Sequence, residues 1–517
     1  MNYRFISFLA ACTMAAVSLA MFAASGVSFL MSDTLQQSTV FLIYACGMFF
    51  VTGTAAMLLR PRTEQDKTVG MREGFAIVSF SWIGATVCGM VPYIAVCGLH
   101  WYDALFESAS GFSTTGATIL GPGLPLIGGG KLPTGIEDLP AGILLWRSLT
   151  QWLGGMGFVI LSLAILPLMK IGGQTLYNAE VSGIKSMETK IVPRFADSAK
   201  ILWGVYCLLT LIQTILLRIA GMNWFDSVCH ALTTLASGGF STKQDSLAYW
   251  SGNPWIQWIM IVFMFAAGCN FVLHYRFICR KSGQYLKNEE FRFYAALVVM
   301  ASVVCAVSLI WIGSVPDAIG GNPAVDYRQH PFYAFQTALF QVVSIATTSG
   351  FTTVNYDVWP GIACLFITIL MFTTACGGST AGGIKCVRIQ ILGKYAVSEI
   401  KRCLFPHLVQ DIRISRTRYE NATIQKTIGF CALYAIMVFL FALLVAAVNP
   451  LIHSDTAFYA SLTALSNIGP GFGAIGPAET FAWLSVPSKV LLAFEMILGR
   501  LELYTLLVLF LPSFWKK

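Results

Sequence analysis

Residues 346–353 read ATTSGFTT: small, polar and centred on Gly350, with apolar runs on either side. The pattern recurs as FSTTGATI at 112–119, LASGGFST at 235–242 and LSNIGPGF at 465–472. Aligning the four on Gly116, Gly239, Gly350 and Gly469 puts Asp103, Asp226, Thr337 and Thr456 at one offset, thirteen residues upstream. These residues open the similar segments DALFES, DSVCHA, TALFQV and TAFYAS. Asp and Thr are good helix N-caps, so each predicts a capped helix of about 10–12 residues running into the glycine loop. Repetition at one offset marks an internally repeated architecture.

The surroundings are a lipid-soluble chain. Of 517 residues, 56% are apolar and 11% charged, and the mean hydropathy is +0.69. A soluble domain carries about 25% charged residues. Ten apolar spans are expected, at roughly 6–31, 39–59, 73–98, 141–168, 199–220, 255–279, 291–313, 361–390 (interrupted), 427–449 and 487–511. The first run is longer than a signal-peptide core and is followed at once by a second span, so it is read as a retained helix. The fourteen cysteines are scattered without a CxxC pair and read as small buried hydrophobes.

Lys and Arg are sorted by loop. One set holds Arg60, Arg62, Lys67 and Arg72, then Lys185, Lys190, Arg194 and Lys200, then Arg276, Arg280, Lys281 and Lys287. Segment 391–426 adds Lys394, Lys401, Arg402, Arg413, Arg416, Arg418 and Lys426. The alternate loops carry only Lys131, Lys243 and Arg328. The positive-inside rule then places both termini in the cytoplasm and the loops that lead into the glycine stretches outside. The net charge of +8 is explained by this sorting and does not call for nucleic acid.

A helix of about a dozen residues is too short to cross a bilayer, so each must dip in from outside and turn back. Non-helical backbone at that depth is tolerated only where it is buried in protein or lines a water-filled path. Four such loops on a pseudo-fourfold axis can replace a cation's water shell with carbonyl oxygens, and each short helix aims its partially negative C-terminal end at the ion. Close packing of small residues would account for one such patch but not for four at one offset. The fold expected is an all-α membrane protein of ten spanning helices and four re-entrant pore helices. Residues 1–60 supply two extra N-terminal helices. Four span–short helix–span repeats follow at 61–195, 196–285, 286–425 (with the interrupted span and the basic loop) and 426–517.

These loops, together with CGGSTAGGIKCVR at 376–388 and LGRLELYTLLVLF at 498–510, resemble the pore subunits of the Trk/Ktr/HKT superfamily, most closely the TrkH branch, over essentially the whole chain. The resemblance implies potassium uptake, not enzyme activity, at a bacterial plasma (inner) membrane. It implies a filter built from Thr114, Thr115, Gly116, Ser237, Gly238, Gly239, Thr348, Ser349, Gly350, Asn467, Ile468 and Gly469. It further implies a homodimer and a cytosolic, TrkA-like nucleotide-binding regulator. Potassium is then substrate, and any nucleotide belongs to the partner, so no cofactor is expected in this chain. Serine at the first-loop glycine goes with sodium permeation in the family; Gly116 stands there and favours potassium. A sodium-permeable or cation-coupled relative and the pore subunit of an ATP-driven potassium pump are the rival readings. Pro470, directly after Gly469, predicts an irregular fourth strand, because proline fixes φ and removes an N–H.

The interrupted span breaks at Gly377, Gly378, Ser379, Thr380, Gly382 and Gly383 and ends at Lys385 and Arg388. It is not a phosphate loop, since Ile384 follows Gly383 where lysine is required, nor a nucleophile elbow, since Ala381 replaces the last glycine. A kinked helix and an intramembrane gate are the two readings, and the resemblance supports the gate. Arg500 lies mid-span without a same-face carboxylate, since neither Glu495 nor Glu502 is three or four residues away. Its partners are therefore expected on other segments or in a water cavity. It either ties helices together or, as the resemblance implies, places positive charge below the filter. Glu495 and Glu502 receive no role. The six histidines lack metal spacing; His230 is expected to pack near the pore mouth. Residues 121–140 are read as an external loop without fixed secondary structure. The segment 391–426 is read as touching anionic lipid or docking the regulator.

Overall fold

The computed structural model describes residues 1–31, 33–61, 70–156, 195–279, 283–315, 319, 325–406, 411–415 and 417–516. Helices α1 (Tyr3–Leu30) and α2 (Leu35–Leu59) pack as a hairpin. Asn2 caps the first, and Thr34 with Gln37 forms a reciprocal box on the second. The buried face of α1, with Val17, Met21 and Ala24 at no exposure, lies against α2 and α3 (Met71–Gly89); α4 (Val91–Cys97) continues α3 after Met90. Only 11% of the apolar window of α2 is buried, which leaves the rest for lipid.

Four units follow. The first joins α3, α5 (Trp101–Phe112) and α6 (Ala141–Gly155). The second joins α7 (Phe195–Ile219), α8 (Trp224–Leu235), α9 (Pro254–Ala267) and α10 (Phe271–Ile278). The third joins α11 (Glu289–Ile312), α12 (Pro331–Ala346), α13 (Gly361–Phe372) and α14 (Cys386–Leu404). Strands β1 (Ser314–Val315) and β2 (Val325–Asp326) pair ahead of α12. Parallel strands β3 (Thr373–Thr374) and β4 (Ile384–Lys385) bracket the break between α13 and α14. The antiparallel hairpin β5 (Arg413–Ile414) and β6 (Thr417–Arg418) leads to the fourth unit, α15 (Asn421–Val448), α16 (Ser454–Ser466) and α17 (Val486–Arg500), with α18 (Tyr504–Leu507) beyond.

The units close into a ring. Each short helix (α5, α8, α12, α16) packs on the first and last apolar helices of its own unit. Each also packs on the apolar helix that follows the short helix of the preceding unit: α5 on α17, α8 on α6, α12 on α9, α16 on α13. Small residues set these contacts. A Cβ on Gly154 would lie 1.9 Å from the Phe112 carbonyl oxygen and one on Gly499 2.1 Å from that of Leu465, so α6 and α17 approach the short-helix ends through glycine.

The chain is mostly helical, and six helices among the described residues are long and apolar enough to cross a membrane: α1, α2, α3–α4, the Ala199–Ile219 part of α7, α11 and α15. Three expectations are corrected. The span at 255–279 is two helices meeting at 105°, broken at Gly268–Asn270. The span at 487–511 ends as a helix at Arg500, where Glu502 and Leu503 take φ of 53° and 61°. Residues 121–140 are ordered, with a Pro125–Lys131 bridge and a 3-10 turn at Ile136–Asp138. The Thr134 hydroxyl holds the Asp138 carboxylate there at 2.7 Å and keeps its pKa below the usual range. The second half of the span expected at 141–168, and Lys185, Lys190 and Arg194, lie outside the described residues.

Candidate functional site: a ring of four glycine turns

All four short helices end in the same motif. The N–H of Thr115, Gly238, Ser349 and Ile468 each bonds the carbonyl five residues back, on Ser110, Thr233, Ser344 and Thr463, at 2.8–3.0 Å. The preceding residue is left-handed in every case: Thr114 at φ 58°, Ser237 at 57°, Thr348 at 56° and Asn467 at 56°. This is a Schellman closure without its usual glycine, and a β-branched threonine there is strained. Such outliers cost about 1–3 kcal/mol each and persist where the surroundings over-determine them. Gly116, Gly239, Gly350 and Gly469 follow at φ 79°, 78°, 72° and 99°.

The glycines close the ring at backbone contact. A Cβ on Gly116 would stand 2.0 Å from the Gly238 carbonyl oxygen, on Gly239 1.9 Å from that of Ser349, and on Gly350 2.1 Å from that of Ile468. On Gly469 it would stand 2.8 Å from the Thr115 oxygen, which returns to the first unit. The filter residues expected from sequence are therefore brought together. On the side of their ascending limbs lies a cavity lined by the four glycines, Pro470 and Glu479.

Side chains behind the ring fix it. Nine residues before each glycine stand Glu107, His230, Gln341 and Ala460. Glu107 accepts from the Thr118 hydroxyl at 3.1 Å and from the Ile119 N–H at 3.3 Å. His230 Nδ1 lies 2.8 Å from the Asp226 carbonyl, which can only accept, so Nδ1 carries the proton and Nε2 accepts from Ser241 Oγ at 3.0 Å. Gln341 donates to Thr353 Oγ1 at 3.1 Å. Arg147, on α6, pairs with Glu107 at 2.8 Å, donates to the Ser241 carbonyl at 3.0 Å and stacks 4.1 Å over Phe240. It thereby ties the first loop to the second. Gln151, one turn on, donates to the Gly238 carbonyl at 2.7 Å and accepts from the Phe240 N–H at 3.1 Å.

The upstream aspartates are not N-caps. Asp103 and Asp226 are the third residues of their helices, after His100 and Asn223 as the caps; Thr456 is likewise third, and Thr337 lies inside α12. Asp103 pairs with Lys489 of α17 at 2.7 Å, and Asp226 accepts from Thr242 Oγ1 at 2.6 Å. Both still favour the positive end of the helix dipole.

The break at 373–385 lies against the other side of the ring. The Gly382 N–H donates to Thr348 Oγ1 at 2.9 Å, and Thr380 Oγ1 lies 2.8 Å from Ser237 Oγ. A Cβ on Gly382 would meet the Ser466 carbonyl at 2.3 Å and the Asn467 side chain at 2.9 Å. Three of the four left-handed residues thus touch this loop. Lys385 folds back onto the Ala381 carbonyl. Arg500 donates to the carbonyls of Thr380 at 2.7 Å, Gly154 at 2.7 Å and Gly155 at 2.6 Å. Its partners are on other segments, as expected. Glu502 pairs with Arg388 at 2.5 Å, and Glu495, buried in α17, accepts from Ser461 at 2.5 Å.

Sequence reading found the four turns, the break and Arg500; Arg147, Gln151 and Lys489 were missed. The available signal was a charged residue in an apolar span, which marks Arg147 and Lys489 as surely as it marks Arg500. Among the described residues no group of His, Cys, Asp or Glu is arranged for a metal. All fourteen cysteines are free.

Comparison with known proteins gives the family and the fold. The family model of TrkH, cation transport protein, matches residues 42–517. The Trk system potassium uptake protein TrkH of Salmonella typhimurium is 35% identical over 477 residues, 91% of each chain. That of Vibrio parahaemolyticus is 34% identical along the whole of both chains. The crystal structure of the potassium transporter TrkH from Vibrio parahaemolyticus superposes with a TM-score of 0.83 at 31% identity, covering all of both chains. This chain belongs to the TrkH family of cation transport proteins, and is accordingly a multi-pass membrane transporter rather than an enzyme.

Proposed function

We propose that this chain is the pore-forming subunit for potassium uptake across a bacterial inner membrane. One observation carries the reading: four equivalent turns whose glycines each abut the carbonyl of the next, so that backbone oxygens of all four units meet at one place. Such a ring exchanges a cation's water for carbonyl oxygens. The names of the TrkH relatives support potassium as the ion. In this reading α5, α8, α12 and α16 are re-entrant pore helices within ten spans, both termini are cytoplasmic, and the four repeats follow the boundaries given above.

The break at 373–385 is the gate. It is held under the filter by Ser237, Thr348 and Arg500, and conduction requires those bonds to open together. Arg500 also keeps positive charge below the filter, which repels a cation while the loop is closed. The working assembly is a homodimer with a cytosolic nucleotide-binding regulator, and this chain carries no cofactor of its own.

The test is growth and ion uptake in a bacterial strain that lacks potassium uptake, with the regulator co-expressed. The natural chain restores growth at low potassium, and Gly350→Ser abolishes it or admits sodium. Equal uptake of sodium and potassium by the natural chain would sink the potassium assignment in favour of a sodium-permeable relative. Uptake that required ATP hydrolysis within the complex would favour the pump subunit.

A further inference from the structure

The loop under the ring has a neck, and one carboxylate holds it. Helix α11 begins with the pair Glu289–Glu290, after Asn288, whose side chain accepts from the Phe291 N–H at 2.8 Å. Glu290 is buried and its Oε1 accepts two backbone N–H groups: Gly377 at 2.7 Å and Val387 at 3.2 Å. Gly377 lies in the first part of the break, and Val387 is in the first turn of α14, which follows it. The first N–H groups of a helix have no partner within it and attract negative charge. Glu290 therefore caps α14 from another helix while gripping the descending limb of the loop with the same oxygen.

The neighbouring residue faces the cytosolic segment. Glu289 pairs with Lys394 of α14, and its carboxylate accepts from the Ser415 N–H at 3.0 Å. The Glu289 N–H donates to Ser415 Oγ at 2.9 Å, and Gln390 donates to the Glu289 carbonyl at 3.2 Å. Lys394 also reaches the Arg413 carbonyl at 2.7 Å. The β5–β6 hairpin is thus bonded to the residue next to the one that holds the loop.

We propose that Glu290 is the positioning residue that clasps the intramembrane loop closed, and that Glu289 couples this clasp to the cytosolic strand pair β5–β6. This rests on reading the break as the gate. Pulling the hairpin draws on Glu289 and the start of α11, withdraws the Glu290 carboxylate from Gly377 and Val387, and frees the loop from Thr348 and Ser237. The clasp suits reversible control because one oxygen grips both sides of the loop through two backbone bonds.

The test is potassium and sodium flux through the purified full-length chain in liposomes. Glu290→Ala removes the acceptor from two half-buried N–H groups in the closed state only, so basal potassium flux rises on the order of fivefold or more. The potassium-to-sodium ratio stays at the natural value, because the ring is untouched; a merely damaged fold would lower it. Glu290→Gln keeps one acceptor oxygen and returns flux most of the way to the natural level. If Glu289 acts on the same element, Glu289→Ala raises flux alone but adds nothing to Glu290→Ala, whereas an independent, additive rise overturns the coupling. A chain with residues 378–381 deleted separates the two ideas. Raised flux in the deletion with natural flux in well-folded Glu290→Ala and Glu290→Gln overturns the clasp and leaves the gate standing. Unchanged flux in the deletion overturns the gate itself.

Discussion

Three of the four glycine turns are braced from behind, and the fourth is not. Glu107, His230 and Gln341 occupy one position in their units and each bonds the ascending limb two or three residues beyond the glycine. The fourth unit has Ala460 there, whose methyl can neither donate nor accept a hydrogen bond. Its ring contact is also looser, 2.8 Å against 1.9–2.1 Å, and its glycine sits at φ 99° rather than 72–79°. Pro470 accounts for part of the difference, since it has no N–H to offer. The fourth turn is held from below instead. Asn467 Nδ2 donates to Thr115 Oγ1 at 3.0 Å and to the Met496 carbonyl at 2.8 Å. Equivalent backbone geometry is thus reached by two different supports, and the asymmetry falls on the strand that returns the ring to its start.

The largest effect that would break this comparison comes from Arg147. Arg147→Ala strands Glu107 at no exposure and unties the first two loops together. Breaking a buried pair in this way costs about 3–5 kcal/mol. Thermal unfolding in detergent should show the loss, and Arg147→Lys should recover little, because lysine cannot span Glu107 and the Ser241 carbonyl at once. A matching loss from Ala460→Ser, at the unbraced position, would abolish the distinction.

Next come the ring glycines. Gly350→Ala sets a Cβ against the Ile468 carbonyl at 2.1 Å, while Gly469→Ala meets Thr115 at 2.8 Å. Potassium uptake should fall further in the first than in the second, and equal losses would mean that the fourth strand is as tight as the rest. Asn467→Gly keeps the left-handed backbone and removes the fourth turn's own anchor; about 1–2 kcal/mol of stability should go, with a lower potassium-to-sodium uptake ratio. The smallest effect is Gln341→Leu, which removes one neutral bond to Thr353 and should cost about 1 kcal/mol in thermal unfolding with uptake nearly unchanged.

What could be read beforehand was whatever repeats or is carried by local chemistry. The four turns announced themselves because glycine, threonine and serine are anomalous inside apolar sequence, and Arg500 because charge in a span is costly. The break at 377–383 was visible in its glycines. The braces were not. Glu107 and Arg147 lie 40 residues apart and Asp103 and Lys489 lie 386 apart, so no local periodicity joins them. Glu107 and His230 differ in chemistry at one position, and only the fold shows that they do one job. The bends after Ala267 and Arg500 were hidden because both sides of each break stay apolar.

The sequence by itself determined that this is a membrane protein, that it has four related units and that each carries one glycine turn, because hydropathy and backbone freedom are properties of short segments. Only the tertiary structure decided the order in which the turns meet, which carbonyl each glycine faces, and which buried charges answer one another. Those depend on distances between residues hundreds of positions apart, and such distances are set when the four units close their ring.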